Sequence, residues 1–442
     1  MAHALAGKPV QEQDIIDVQT IVDAYFDNVP DMTNPTQLVS FGTSGHRGTS
    51  VDGTFTDLHV AAITQAICDG RKQFGATGPI FVGQDTHALS QPALVTVLEV
   101  LAGNGVTAMV DCDMAFVPTP SVSRAIIRYN EEHDDKADGI IITPSHNPPD
   151  NGGIKYNTII GGPADTVVTK WIEMRANEYL TAYCESEDFK RISIDNIEPT
   201  AQVPYDYKGL YVEELGDVIN MEAIKAAGPK VLVDTLGGSG ASYWNAIKER
   251  YGLDLTIIHD DYDPTFSFMT YDHDGKVRMD CSSTYVMASV INRIGDFDLA
   301  VGNDPDYDRY GIVVSSGLIS ANTFLTLAAR YLFTTRGWKN KGVGKTVVCT
   351  TMIDKWAADA ETPVFEVPVG FKYFSQLLFD GAIGIGGEES AGASFLKKDG
   401  TVWTTDKDGM IMALLSMEIM AVMGKSALKM ADEFEIGRAS CR

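Results

Sequence analysis

The 442-residue chain is 44% hydrophobic and 21% charged, an ordinary globular composition with length enough for about three cores. Its 35 basic and 60 acidic residues leave a net charge of −25, which repels a nucleic-acid backbone and means that an anionic ligand must be held by a local cluster of cations. No apolar run approaches the roughly 20 residues that span a bilayer, and residues 1–14 lack the basic and apolar regions of a secretory signal. Six scattered cysteines (Cys68, Cys112, Cys184, Cys281, Cys349, Cys441) form neither a CxxC pair nor a zinc spacing, so the expectation is a cytoplasmic chain with free thiols, no membrane contact and no nucleic-acid partner.

Residues 1–39 read as an N-terminal extension, with a helical pattern at Ile15, Ile16, Val18, Ile21 and Val22 before a Pro/Asn-rich connection. FGTSGHRG (41–48) follows, a glycine-rich loop around Ser44, His46 and Arg47 that offers two phosphate contacts or is simply a turn. Thr56 predicts an N-cap for a helix to 74, 78–82 a strand, Ser90 a cap for a helix ending near Gly103, 106–110 a strand and 119–129 a helix. The run Gly139 to Ile142 is a buried strand, and the polar TPSHNPPD (143–150) lies in the loop at its C-terminal end, where open α/β sheets place ligands. GGIKYN (152–157) and a helix over 165–182 complete a mainly parallel α/β domain.

A polar stretch, 185–204, separates this domain from the next. There 230–234 is a strand, 236–240 a turn, 241–251 a helix, 253–258 a strand, and 297–301 a strand entering GNDPDYDR (302–309). From about 320 a third unit has a helix at 323–335, strands at 346–349 and 364–367, a glycine-rich loop at 384–392 and an apolar helix at 409–423. The expected fold is α/β, with three similar domains at 40–204, 205–319 and 320–435, each presenting one polar loop.

Three loops carry chemistry. Ser145 stands beside His146 on a loop stiffened by Pro144, Pro148 and Pro149, which suits covalent catalysis and equally suits a rigid turn. Asp304, Asp306 and Asp308 recur at every second residue after a strand, so an extended loop can aim all three at one hard cation such as magnesium or calcium. An EF-hand is excluded, because its sixth position is Arg309 and its twelfth Ser315; three solvated aspartates are the plain alternative. IGGEESAG (385–392) sets Glu388, Glu389 and Ser390 among glycines, a set able to bind sugar hydroxyls or to form a polar turn. Gly344-Lys345-Thr346 is not a P-loop, since Lys339 stands where glycine is needed, and Gly237-Gly238-Ser239-Gly240 opens a helix but lacks dinucleotide spacing. No GxSxG elbow or HExxH is present.

FGTSGHRG, TPSHNPP, GGIKYN, DPDYDR and GEESAG occur in this order over 41 to about 432. In that series the chain resembles the α-D-phosphohexomutase superfamily, most closely its bacterial phosphoglucomutase branch. The resemblance implies three similar α/β domains and a smaller fourth around a central cleft. It implies that Ser145 is the phosphorylated serine, and that Asp304, Asp306 and Asp308 hold a magnesium ion that also touches the serine phosphate. It implies sugar recognition by Glu388 and Ser390, and places Arg47, His146, Lys155 and Arg309 near the transferring phosphoryl group. Lys372 in VGFKYF and Lys407 in TDKDG resemble active-site lysines of some members. The family's metal loop is usually DGDGDR; Pro305 and Tyr307 depart from it and keep every ligand. The implied reaction interconverts glucose 1-phosphate and glucose 6-phosphate, with glucose 1,6-bisphosphate as intermediate and activator. A sibling mutase for mannose or glucosamine phosphate, a noncatalytic sugar-phosphate-binding protein and a serine hydrolase using Ser145 and His146 are the competing readings.

Nothing matches the family's RPSGTE-like loop, so the fourth domain is expected to be absent. The last seven residues, IGRASCR, translate a sequencing-adapter reading frame, and 436–442 are read as a non-native tail outside the fold. Loss of the distal-phosphate hydrogen bonds, each worth about 1.5–3 kcal/mol, implies impaired turnover.

Overall fold

In the computed structural model, which describes residues 2–42, 44–183 and 189–424, three mixed sheets account for the strands. The first contains β1 (His46–Thr49), β2 (Ile80–Gln84), β3 (Ala108–Asp111), β4 (Asp138–Ile142), β5 (Asn151–Asn157) and β6 (Gln202–Tyr205), in the order β1-β5-β4-β2-β3-β6. Strands β4, β2, β3 and β6 run parallel, while β5 is antiparallel to both β4 and β1. Alternate residues of β2 and β4 enter two cores. Ile80, Val82, Ile140 and Ile142 pack with the helix Asp57–Gly70, and Phe81 and Ile141 with the helix Thr119–Glu132. A strand covered on both faces is apolar at every position, which is why these segments read as continuous runs.

The second sheet contains β7 (Val231–Asp234), β8 (Leu255–Ile258), β9 (Leu299–Asn303), β10 (Tyr310–Val314) and β11 (Gly317–Leu318), in the order β11-β10-β9-β7-β8. The third contains β12 (Gly342–Thr346), β13 (Val364–Val367), β14 (Ile383–Gly387) and β15 (Ala393–Phe395), in the order β13-β12-β14-β15. These two sheets share one hydrophobic core. Into it runs the helix Gly409–Met423, buried at every residue through Met420. A helix apolar all round needs such an interior position. Its one acid, Glu418, is buried and accepts hydrogen bonds from Arg336 Nη2 (2.7 and 2.9 Å), Tyr331 OH (2.8 Å) and Asn220 N–H (2.8 Å). Among the described residues no helix is long and apolar enough to cross a membrane.

The chain forms two compact units. One comprises Gln11–Tyr207 with Asp263–Ser267; the other comprises the residues up to Val10, Lys208–Tyr262 and Phe268 onward. The expected N-terminal extension is therefore divided. The helix Val18–Asp27 buries Ile21 and Tyr25 in the first core, and Pro9 forms a β-bridge with Thr270 of the second unit. Residues 184–188 and the expected non-native tail at 436–442 lie outside the described residues.

Several local expectations are corrected. The end of the segment 41–48, read as a glycine loop, is instead the start of strand β1 (His46–Thr49), paired antiparallel with β5; a Cβ at Gly48 would lie 2.5 Å from Thr54 O. The stretch 185–204 is more than a separator, since Gln202–Tyr205 adds β6 to the first sheet. Ser90 is the first helical residue, and its hydroxyl donates to Asp85 Oδ1 (2.6 Å). The strand expected at 346–349 is Gly342–Thr346 instead, with Val347 and Val348 exposed in the following turn. Its glycines are sites of close packing: a Cβ at Gly342 would meet the Phe365 ring at 2.4 Å.

His46 is also no phosphate contact. It is buried, accepts at Nδ1 from Ser40 N–H (3.2 Å), and faces Thr54 O with Nε2 (3.0 Å). His59 stacks on it with ring centroids 5.2 Å apart. Burial lowers the His46 pKa to about 4, and burial with the neighbouring His46 lowers that of His59 to about 3. The unfolded chain, titrating near 6.5, takes up protons first. The stability contributed by the neutral rings is thus complete above pH 6.5 and lost as pH falls through the folded values. Each ring contributes of order 3 kcal/mol over that window. Urea unfolding of the Gln11–Tyr207 unit should show this acid loss, and His46→Gln should lower stability at pH 7.5 while flattening the slope.

Candidate active site

The Ser145 loop is fixed by the strand beside it. Thr143 N–H donates to Gly153 O (2.9 Å), and a Cβ at Gly153 would fall 2.2 Å from Thr143 O, so only glycine lets β5 lie this close to the loop. Ser145 is 1% exposed and adopts φ 60°. That left-handed conformation costs a residue with a side chain about 1–2 kcal/mol. Its N–H donates to Thr143 Oγ1 (2.7 Å), and its Oγ lies 3.3 Å from His146 Nδ1. Lys155, buried on β5, pairs with Ile141 of β4. Arg47 on β1 pairs with Gly153 and donates from Nη2 to Ser44 Oγ (3.1 Å). Gly45 closes the group: its Cβ would lie 3.0 Å from Lys155 Cγ. Arg47, Ser145, His146 and Lys155 are thus gathered at the β1-β5-β4 side of the first sheet.

Residues 304–309 form the turn between antiparallel β9 and β10, whose ends pair as Asn303 with Tyr310. Asp304, Asp306 and Asp308 are all buried, and one carboxylate oxygen of each lies within 4.8 Å of the others. Burial first, then the charges of Asp306 and Asp308, raise the Asp304 pKa well above the usual carboxylate value, against a lowering by Arg309. Three buried carboxylates converging on one point form an oxygen-donor set suited to a hard divalent cation, which would relieve their repulsion. A second cluster, Asp272, His273 and Asp274, is less suited, because Arg278 occupies Asp274 through bonds of 3.1 and 3.0 Å. Burial would lower the Arg309 pKa, but Asp280, Asp308 and Asp304 outweigh it and hold the guanidinium charged.

Tyr307, where a glycine is usual in the resembling family, has φ 62°. The glycine run 237–240 explains how a tyrosine fits. A Cβ at Gly240 would lie 2.4 Å from the Tyr307 ring, and one at Gly238 would lie 2.8 Å from Pro305 Cα. Ser239 donates to Pro305 O from both N–H and Oγ (2.8 Å each). The run is a socket for the two residues that depart from the family loop. Gly240→Ala should overpack it, costing about 1–3 kcal/mol, seen as a lower thermal midpoint and weaker divalent-cation binding by calorimetric titration.

The third loop joins β14 to β15 and approaches the acidic turn directly. Arg309 forms a β-bridge with Gly392, and Tyr310 N–H donates to Ala391 O (3.1 Å). Ala391 is a further non-glycine at positive φ, 65°. Lys407 Nζ lies 2.9 Å from Asp308 Oδ2 and 4.0 Å from Glu388 Oε2, joining the acidic and glutamate loops through one ammonium. Glu388 Oε1 accepts from Gly370 N–H (3.1 Å). Burial raises the Glu388 pKa, opposed by Lys407 and Arg309. Ser390 is half-buried in the turn, and Lys372 opens the helix Lys372–Phe379 with Nζ 5.7 Å from the Tyr373 ring centroid. Asp304, Asp306, Asp308, Arg309, Glu388 and Lys407 therefore form one connected group, with Ser390 in the same loop.

Residues not singled out in the sequence support these loops. Gly370 holds Glu388, and Asp280 Oδ2 lies 3.7 Å from Arg309 Nη1. Asp408, behind Lys407, accepts from Tyr211 OH and Trp403 Nε1 (2.8 Å each), and burial raises its pKa to about 6 despite those bonds. Asp85 and His87 lie beneath the Ser145 loop. The family motifs cover the three loops themselves, whereas these supports have no recurring spacing.

Three family models match: phosphoglucomutase/phosphomannomutase, alpha/beta/alpha domain I over residues 38–182, domain II over 210–317 and domain III over 320–435. The phosphoglucomutase of Komagataeibacter xylinus is 48% identical over 421 residues, covering 94% of this chain and 76% of that protein. Phosphoglucomutase 1 of Drosophila melanogaster is 27% identical, covering 89% of this chain and 71% of its own length. The crystal structure of parafusin, a phosphoglucomutase from Paramecium, aligns with TM-score 0.71 at 21% identity, covering 89% of this chain and 71% of that one. The last of these comparisons bears on the fold alone.

Proposed function

The chain belongs to the phosphoglucomutase/phosphomannomutase family, and from that premise we propose that it is a phosphoglucomutase interconverting glucose 1-phosphate and glucose 6-phosphate. The observation that carries this reading beyond the family is the single connected group formed by the acidic turn, Lys407 and Glu388. It pairs a cation-binding site with a carboxylate able to accept hydrogen bonds from sugar hydroxyls.

In this reading Ser145, phosphorylated, gives its phosphoryl group to the free hydroxyl of glucose 1-phosphate, which yields glucose 1,6-bisphosphate and the free serine. The bisphosphate reorients, returns its other phosphoryl group to Ser145, and leaves as glucose 6-phosphate. His146 exchanges the serine hydroxyl proton in this reading, which its 3.3 Å separation from Ser145 Oγ supports. Arg47 and Lys155 supply positive charge for the equatorial oxygens of the transferring group, and the family resemblance gives Arg309 the same role. Asp304, Asp306 and Asp308 would hold magnesium, which when bound neutralises phosphoryl charge. Glu388 and Ser390 recognise the sugar, with Lys407 fixing Glu388 and Lys372 available to a substrate phosphate.

The test is conversion of glucose 1-phosphate by the purified chain with magnesium and a trace of glucose 1,6-bisphosphate, run beside mannose 1-phosphate and glucosamine 1-phosphate. Faster turnover of glucose supports the reading. A preference for either other sugar replaces it with a sibling mutase, and binding without phosphoryl exchange replaces it with a noncatalytic role.

A further inference from the structure

Beneath the Ser145 loop lies a buried pair, Asp85 and His87, that contacts the loop on both sides of the serine. Thr143 Oγ1 donates to Asp85 Oδ2 (2.6 Å) and accepts from Ser145 N–H (2.7 Å). Two residues past the serine, Asn147 O faces His87 Nε2 at 3.0 Å. The two are joined by His87 Nδ1 to Asp85 Oδ2 (2.8 Å), while Asp85 Oδ1 accepts from His87 N–H (3.0 Å) and Ser90 Oγ (2.6 Å). Phe266 covers the imidazole, its ring centroid 5.1 Å away.

We propose that Asp85 and His87 are positioning residues that hold the strained Ser145 loop in its reactive conformation, with His87 as an imidazolium. The inference rests on the phosphoryl-transfer reading of Ser145.

The protonation state follows from the partners. Asn147 O can only accept, so Nε2 donates. Asp85 receives four donated hydrogen bonds, a number that favours the ionised carboxylate. Burial would raise its pKa, but the His87 charge and the bonds from His87, Ser90 and Thr143 hold it below the usual value. An ionised carboxylate can only accept, so Nδ1 donates too, and the ring carries both protons. A neutral imidazole could serve one partner and would leave the other without its donor. The charged pair therefore ties residue 143 to residue 147 through a rigid side chain and offsets the cost of Ser145 at positive φ.

The experiment compares wild type, His87→Gln and Asp85→Asn as full chains, each checked for folding by circular dichroism. The first readout is the rate of Ser145 phosphorylation by glucose 1,6-bisphosphate, followed by intact mass. The expected result is a fall of about 10- to 100-fold, the scale of a small misplacement of a reacting group, carried by kcat with KM for glucose 1-phosphate changed less than about threefold. The second readout needs no turnover: 15N shifts of the His87 ring nitrogens at pH 7.5. Both should lie at imidazolium values in wild type, and Asp85→Asn should move Nδ1 away. Wild-type phosphorylation rates in His87→Gln, or a neutral His87 tautomer in wild type, would overturn the proposal. Should wild type accept no phosphoryl group at all, the functional reading fails. The pair is then judged by the nitrogen shifts and by amide exchange at Ser145, which should quicken in His87→Gln.

Discussion

Ser145→Ala should lower mutase turnover by about 10⁴-fold or more, the scale seen when a covalent nucleophile is deleted, and should abolish phosphoryl incorporation from glucose 1,6-bisphosphate. The fold predicts that this loss comes without loss of stability. Ser145 adopts φ 60° in a buried loop, so its conformation carries a cost that alanine shares and glycine does not. Ser145→Gly should therefore be as inactive as Ser145→Ala while unfolding at an equal or higher temperature, by up to about 1 kcal/mol. A serine kept only as a turn residue would give the opposite pair of results, with activity retained in both variants. Measuring mass after incubation with the bisphosphate, together with thermal midpoints, separates the two.

The groups legible in the sequence were those whose chemistry is local. Asp304, Asp306 and Asp308 belong to one turn, and their convergence follows from alternation in an extended segment. Ser145 was legible because Ile140, Ile141 and Ile142 mark a buried strand that must end there. What stayed hidden depends on partners far along the chain. His46 reads as a loop residue in the sequence, whereas in the fold β5 pairs with β1, and burial keeps its ring neutral against the bonds to Ser40 and Thr54, which favour the charged form. The glycines at 237–240 resembled an anion loop, yet their role follows from Tyr307, about 70 positions later. Asp85 and His87, a carboxylate and an imidazole two residues apart, carry no signal in the sequence, because their partners Thr143 and Asn147 are brought over them only by the fold.

Asp304→Asn should abolish magnesium-dependent activity and yet stabilise the unit that holds the acidic turn when divalent cations are chelated. Two carboxylates about 5 Å apart repel by about 3 kcal/mol at an effective dielectric constant near 20, and Asp304 faces two such neighbours in a buried turn. Lys407 and Arg309 offset part of that repulsion through Asp308. Burial and the two neighbouring charges raise the Asp304 pKa in the folded state, so the folded chain binds a proton that the unfolded chain releases at lower pH. Stability in EDTA therefore rises as pH falls through the raised folded value, and the gain is complete only below the ordinary carboxylate range near pH 4. Asparagine mimics the protonated state, keeps an acceptor for Arg309 N–H (2.9 Å in the parent), and should raise the thermal midpoint in EDTA by the equivalent of about 1–3 kcal/mol. With saturating magnesium the order reverses, because the ion binds the ionised triad and stabilises the folded state by mass action. The unit that holds His46 and His59 loses stability over the same descent in pH, so the two units should diverge, one weakening and the other gaining as acid is added without metal. Thermal scans in EDTA and in magnesium at pH 5 and pH 7 would show this. If Asp304→Asn melts below wild type in EDTA at pH 7, the carboxylates are better compensated by Lys407 and Arg309 than these distances imply, and the turn is not a strained cation site.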